Sequence, residues 1–322
     1  MEKIYGPVED DLVKVEENLN SISHVDFSWL SGMLGYTIKG GGKRIRPALT
    51  LLSGKFYDYD LERLLLMAAS VELLHTATLV HDDAIDKSSV RRGRPTFNNI
   101  YGDEKAILLG DYLFAKAGEF SASTENIRVV KLFSQTLMII SKGELNQAIN
   151  AYNMEQAFDS YLYRITAKTA SLFMLATESG AVLSKAPETC VQALKDYALN
   201  LGIAFQIVDD ILDYIGSEKE LGKPVGSDLL QGTFTLPAML LVKKYPQDNP
   251  IKRTFQDKTL EQKREDIQKA IGIIRDSNIV QECYKQAADY SEKAVECLKI
   301  LPNNPAREVL TNLARYVVNR KN

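Results

Sequence analysis

Six aspartates in two equal groups are the residues of this chain best suited to chemistry. Asp82, Asp83 and Asp86, and again Asp209, Asp210 and Asp213, each spell Asp-Asp-x-x-Asp, the second group standing 127 positions after the first. On a helix the first and last Asp of a group share a face, where like charges four residues apart repel. Apolar residues precede both groups, Thr78-Leu79-Val80 in one case and Phe205 to Val208 in the other. Acidic clusters in such surroundings point to bound cations. Hard ions such as Mg²⁺ take carboxylate oxygens, keep several waters and bridge to phosphates. No His or Cys accompanies the second group, which disfavours zinc, and the glycine and distal Glu of a calcium loop are missing. Two such helices facing each other would hold several ions and grip a diphosphate.

Fixed positive charge accompanies both groups. Gly40-Gly41-Gly42-Lys43-Arg44-Ile45-Arg46-Pro47 puts glycines before three cations, with a helix beginning just beyond Pro47. Glycine lets a backbone approach phosphate oxygens, and Arg offers a bidentate fork. The glycine spacing and the Lys-Ser/Thr ending of a nucleotide-binding P-loop are absent. Arg91-Arg92-Gly93-Arg94 follows the first group, and Gly222-Lys223-Pro224 follows the second. Lys168-Thr169 lies within an apolar helical stretch, where a lysine needs a partner. Gln206 stands one turn before Asp209, and His75 stands two turns before Asp82 on the same face. His81 has the weaker functional case of the two, since a lone His in a helix is commonly a core residue. No nucleophile–base arrangement of the kind a Ser or Cys hydrolase needs is present.

The elements that must position these groups are helical. Leu61, Leu64, Leu65, Ala68, Leu73, Ala77 and Val80 recur at three- and four-residue intervals up to the first aspartates. A second long helix is expected from Pro187 through Tyr197, Leu201, Ala204 and Val208 to the second group. Others are expected over residues 102–118, 127–150, 154–180, 233–244, 258–275, 279–298 and 305–320. Polar loops cover residues 87–99 and 216–232, and no β-hairpin signal or repeat is evident. The chain of 322 residues is therefore read as one all-α domain, residues 1–322.

A net charge of −3 argues against a nucleic-acid surface. Cys190, Cys283 and Cys297 have neither pairing nor metal spacing, which fits reduced cysteines in a cytoplasmic protein. The first residues lack a signal-peptide layout, and no run approaches the ~18 uncharged apolar residues of a spanning helix. A soluble protein is expected.

The ordered set resembles the trans-isoprenyl diphosphate synthases, or polyprenyl synthetases, along nearly the whole chain. Gly42-Lys43-Arg44 with Arg46-Pro47, His75, Asp82-Asp83-x-x-Asp86, Arg91-Arg92-Gly93, Lys168-Thr169, Gln206, Asp209-Asp210-x-x-Asp213 and Gly222-Lys223 stand in that family's order. The resemblance implies an all-α, single-domain bundle of long helices around a central cavity, usually a homodimer. It implies an Mg²⁺-dependent prenyltransferase that joins isopentenyl diphosphate to an allylic diphosphate. All six aspartates would be metal ligands, with several Mg²⁺ per site, and Asp82, Asp86, Lys168 and Asp209 would carry catalysis. Gly42, Lys43, Arg46, His75 and Arg92 would take isopentenyl diphosphate; Arg91, Lys168, Thr169, Gln206 and Lys223 would take the allylic diphosphate. One departure is Thr233, where many members have Lys.

Product length is implied by the same resemblance. The growing chain passes the helix of the first cluster, and a bulky aromatic five residues before that cluster stops it early. That position is Ala77 here, beside Thr78, with Leu74 further along the same face. An all-trans product of six or more isoprene units is expected, with geranylgeranyl diphosphate the alternative. A class I terpene cyclase usually has an Asn/Ser/Glu-type second motif, and an inactive regulatory subunit tends to lose an aspartate cluster, so both readings rank lower. A long product would favour at most transient membrane contact, which no basic amphipathic helix demands.

Overall fold

The computed structural model describes residues 5–91, 93–217, 224–247, 249–256 and 259–320. It is all-α, as expected. Helices α1 (Glu9–Ser21), α2 (Ser28–Ile38), α3 (Ile45–Gly54) and α4 (Leu61–Ile85) are followed by α5 (Phe97–Tyr101), α6 (Asp103–Ser123) and α7 (Ile127–Ile149). Next come α8 (Phe158–Ile165), a π turn (Thr166–Ala170), α9 (Ser171–Leu183) and α10 (Glu188–Ile215). The later helices are Ser227–Leu230, Leu236–Lys244, Pro250–Thr254, Leu260–Asp276, Ile279–Cys297 and Pro305–Asn319.

The chain divides into two compact units. The first comprises Met1–Met138, Ser171–Leu199 and Val295–Leu313. Here α4 packs against α1, α3, α6 and α9, burying Leu64, Met67, Leu73, Leu74 and Ala77 completely or nearly so. Asp60 caps the start of α4 by accepting the Arg63 amide, which satisfies one of the donors a helix start leaves open. By length and composition α4 is apolar enough to cross a membrane, yet 61% of that stretch is buried inside the protein. It is a core helix. Small residues allow close approach around it: a Cβ on Gly180 would stand 2.2 Å from the Thr50 carbonyl oxygen.

The second unit comprises Ile139–Ala170, Asn200–Ala294 and Ala314–Asn322. Its core holds Tyr161, Ile207, Val208, Ile211, Tyr214, Phe234, Ile271 and Cys283. The π turn sits against two glycines in this unit. A Cβ on Gly143 would come within 2.6 Å of the Ala167 Cβ, and one on Gly202 within 2.5 Å of the Ala170 Cα.

The structure departs from the sequence reading in several places. The expected helix over 154–180 begins at Phe158 and is interrupted by the π turn, which no proline or glycine announces. Helix α3 starts at Ile45, ahead of Pro47, because a first-turn proline needs no amide hydrogen. The loop over 87–99 contains a two-residue antiparallel ladder, Val90–Arg91 with Arg94–Pro95, and Gly93 takes φ 72° at its turn. The loop over 216–232 contains the helical turn Ser227–Leu230. Helices α1 and α2 lie where no helix was expected, since α1 is mostly polar and α2 is apolar on all sides.

Candidate active site

In the first unit the glycine-rich turn enters α3 through Arg44, whose φ of 51° and ψ of 32° are left-handed. A non-glycine residue held there costs on the order of 1 kcal/mol, so something must fix it. The guanidinium does: Nη1 donates to Glu72 of α4 at 2.7 Å and Nη2 to Glu16 of α1 at 3.1 Å, while Nε also meets Glu16. Glu72 is buried. Of the three cations in this turn, Arg44 belongs to the scaffold. Lys43 is exposed, and Arg46 is half-buried with its guanidinium 5.0 Å over the Phe173 ring of α9.

Helix α4 continues unbroken into the first cluster. Asp82 is half-buried and Asp86 exposed, whereas Asp83 is 5% exposed. Arg91 binds Asp83 through its Nε, at 2.8 and 2.9 Å to the two carboxylate oxygens. Burial lifts the Asp83 carboxyl above its ordinary value, Arg91 partly offsets this, and Asp82 and Asp86 push it further up. The helix therefore presents Asp82 and Asp86, one turn apart, and turns Asp83 inward. His75 is half-buried and its carbonyl accepts the Thr78 hydroxyl at 2.7 Å. His81 packs edge-on to Phe114 and over Gly110, where a Cβ would meet it at 2.1 Å. His81 is a packing residue. Ala77 and Leu74 are fully buried, and Thr78 is half-buried.

In the second unit the carboxylates of the second cluster are engaged by different segments. Asp210 accepts the Tyr161 hydroxyl at 2.8 Å and the Gln206 amide at 2.9 Å. Gln206 in turn accepts the Thr169 hydroxyl at 2.5 Å, so Thr169, Gln206, Asp210 and Tyr161 form one chain of hydrogen bonds. Burial and the charge of Asp228 push the Asp210 carboxyl up to about 7, against the lowering effect of Gln206, Tyr161 and Arg164. Asp213, 1% exposed, accepts the Ser227 hydroxyl at 3.0 Å and the Asp228 amide at 3.3 Å. Asp209 pairs with Arg320. Lys168, half-buried in the π turn, pairs with Glu144 of α7 at 2.9 Å. Arg92, Gly222 and Lys223 lie outside the described residues.

The donor set suits a hard divalent cation. Every ligating atom on offer is a carboxylate oxygen, and a carboxyl pressed toward protonation, as Asp210 is, gains most from a cation beside it. Among the described residues no group of three or more His, Cys, Asp or Glu is placed to hold an ion unaided. That is compatible with Mg²⁺, which commonly takes one or two carboxylates and completes its shell with water and phosphate.

The polyprenyl synthetase family model matches residues 27–274. This chain belongs to the polyprenyl synthetase family. It is a trans-prenyltransferase. It is 37% identical to a heptaprenyl diphosphate synthase component 2 of Geobacillus stearothermophilus over 99% of both chains. Among solved structures it is similar to a heptaprenyl diphosphate synthase of Staphylococcus aureus, with a TM-score of 0.92 and 36% identity, covering 97% of this chain and 98% of that one. It is also similar to a polyprenyl synthase of Caulobacter crescentus complexed with calcium and isoprenyl diphosphate, with a TM-score of 0.92 and 34% identity, covering 98% and 96%.

In this polyprenyl synthetase, several residues joined to the expected set carried no usable signal. Tyr161 precedes Lys168-Thr169 by two turns, a spacing shared with many core aromatics. Glu72 and Glu144 read as ordinary helix carboxylates. Arg320 stands 111 positions from the Asp209 it contacts.

Proposed function

We propose that this enzyme is a long-chain all-trans polyprenyl diphosphate synthase, using Mg²⁺ to join isopentenyl diphosphate to an allylic diphosphate. The observation that carries the reading is the presentation of Asp82 and Asp86 on one face of α4, while Arg91 holds Asp83 inward. We assign Asp82 and Asp86, with Asp209, Asp210 and Asp213, as the residues that hold Mg²⁺. Asp83 contributes charge from behind. When bound, Mg²⁺ supplies the positive charge that stabilises pyrophosphate as a leaving group. Lys168 and Thr169 orient the allylic diphosphate, and Gln206 steadies Asp210. Lys43, Arg46 and His75 bind isopentenyl diphosphate, with Gly42 allowing close approach, so that its double bond attacks the allylic cation as the C–O bond ionises. A proton then leaves, and the product is one isoprene unit longer.

The small Ala77 supports a product of six or more units, as do the heptaprenyl relatives. Incubating the purified chain with labelled isopentenyl diphosphate, farnesyl diphosphate and Mg²⁺ tests this. Chromatography is expected to give a polyprenyl diphosphate longer than geranylgeranyl. Hydrocarbons formed from the allylic substrate alone would sink the reading, as would a product that stops at geranylgeranyl.

We further propose a homodimer in a cytoplasmic setting. Exposed Ile107 and Leu108 on α6 support self-association, and the free thiols of Cys190, Cys283 and Cys297 support a reducing compartment. Sedimentation of the purified chain decides the first point. A monomer that becomes active only with an unlike chain would match the relative named as a component.

A further inference from the structure

Arg320 is a buried cation to which the proposed reaction gives no task. It is 7% exposed, and its guanidinium carbon lies 3.8 Å from the centroid of the Phe205 ring. Nη2 donates to the Phe205 carbonyl oxygen at 2.9 Å and to Oδ1 of Asp209. Phe205 and Asp209 are one turn apart on α10, so the guanidinium braces the turn of helix that carries the first residue of the second cluster. Its Nε is buried with no hydrogen-bond partner among the described residues. The burial of the two partners is unequal: the Arg320 side chain is 5% exposed and that of Asp209 is 41% exposed. The cation is anchored inside, and the carboxylate projects from it.

An arginine does not give up its proton, and a buried guanidinium is tolerated only when paired. Arg320 is therefore committed to Asp209 by the cost of leaving it. The planar fork, stacked on an aromatic face and tied to a helix carbonyl, has little freedom to move. It fixes the bearing of the Asp209 carboxylate and balances its charge.

We infer that Arg320 is a positioning residue that holds Asp209 in place for a divalent cation. The inference rests on the second cluster being a cation site. Outer-shell partners of metal ligands typically contribute about 10- to 100-fold in affinity.

The test is calorimetric titration of Mg²⁺, in the presence of inorganic pyrophosphate, into the full chain and its variants Arg320→Gln, Arg320→Lys, Asp209→Asn and Arg320→Gln/Asp209→Asn. Arg320→Gln is expected to weaken Mg²⁺ binding about 10- to 100-fold, while KM for isopentenyl diphosphate stays as in the parent. Arg320→Lys, which keeps the charge without the fork, should fall between the two. The double variant should bind no more weakly than Asp209→Asn alone, because Arg320 acts through that carboxylate. Parent-like Mg²⁺ affinity in Arg320→Gln, with affinity lost in Asp209→Asn, overturns the role of Arg320. So does a double variant whose losses add. Should Arg320→Gln fail to fold, parent-like affinity in a folded Arg320→Lys overturns it equally. Unchanged affinity in Asp209→Asn removes the cation-site reading and this inference together.

Discussion

The Arg44 guanidinium donates to the Glu72 carboxylate over 2.7 Å, joining the turn that carries Lys43 and Arg46 to the helix that carries the first aspartate cluster. Glu72 lies ten residues before Asp82 on that helix. The bond therefore fixes the distance between cations proposed for one diphosphate and carboxylates proposed for the metal of the other.

Arg44→Ala leaves the buried Glu72 carboxylate without this partner. Removing one member of a buried pair costs about 3–5 kcal/mol, and alanine, which also carries a Cβ, keeps the left-handed strain at this position. A loss of about 3 kcal/mol in denaturant unfolding is expected, with KM for isopentenyl diphosphate raised more than kcat is lowered. An unchanged KM would detach Arg44 from the placing of Lys43 and Arg46.

Metal binding should follow the Asp210 proton. Its carboxyl is pushed up to about 7 from an ordinary value near 4 by burial and by Asp228. The folded metal-free protein thus holds a proton that the unfolded chain has released. The stability gained from that proton is complete below about pH 4 and is lost as pH rises through about 7. A bound cation reverses the balance, since it needs the ionised form. Mg²⁺ affinity should increase up to about pH 7 and then level off. Calorimetry near pH 6 in two buffers of different ionisation enthalpy should register proton release; equal apparent enthalpies would contradict this.

Gly202→Ala places a Cβ 2.5 Å from the Ala170 Cα and 2.7 Å from its Cβ. Backbone cannot yield there as a flexible side chain would. Overpacking of this kind costs about 1–3 kcal/mol, and the π turn with Lys168 and Thr169 must shift. A lower melting temperature with a raised KM for the allylic diphosphate is expected. Parent-like kinetics in the folded variant would show that the turn tolerates displacement.

Ala77→Tyr should shorten the product. Ala77 is fully buried, so a phenol ring must occupy space that the growing chain is proposed to use. Chromatography is expected to show products shifted toward farnesyl and geranylgeranyl lengths. An unaltered chain length in a folded variant would place the path of the chain elsewhere.

What the sequence made legible was what recurs at a helical period. Leu64, Leu73, Ala77 and Val80 announce α4, and Tyr197, Leu201, Ala204 and Val208 announce α10, because burying one face of a helix demands that spacing. The aspartates could be placed on those helices for the same reason. Their inequality could not. Asp83 is buried and faces Arg91 where Asp82 is half-buried, and Arg91 comes from a loop whose course no period encodes. Lys43, Arg44 and Arg46 looked alike until Glu16 and Glu72 claimed the middle one. Arg320 and Tyr161 reach their aspartates across the tertiary fold, where spacing along the chain carries no information.

The π turn can be read as a correction of phase. Tyr161 and Thr169 stand eight residues apart, and at about 100° per residue an unbroken α-helix would aim them roughly 80° away from each other. In a π turn each residue advances only roughly 80°. The four steps from Ile165 to Thr169 therefore remove nearly all of that difference. The two side chains return to one bearing, and both serve Asp210: Tyr161 directly at 2.8 Å, Thr169 through Gln206. One surplus residue in the winding lets a single helical segment grip the same carboxylate at two points two turns apart.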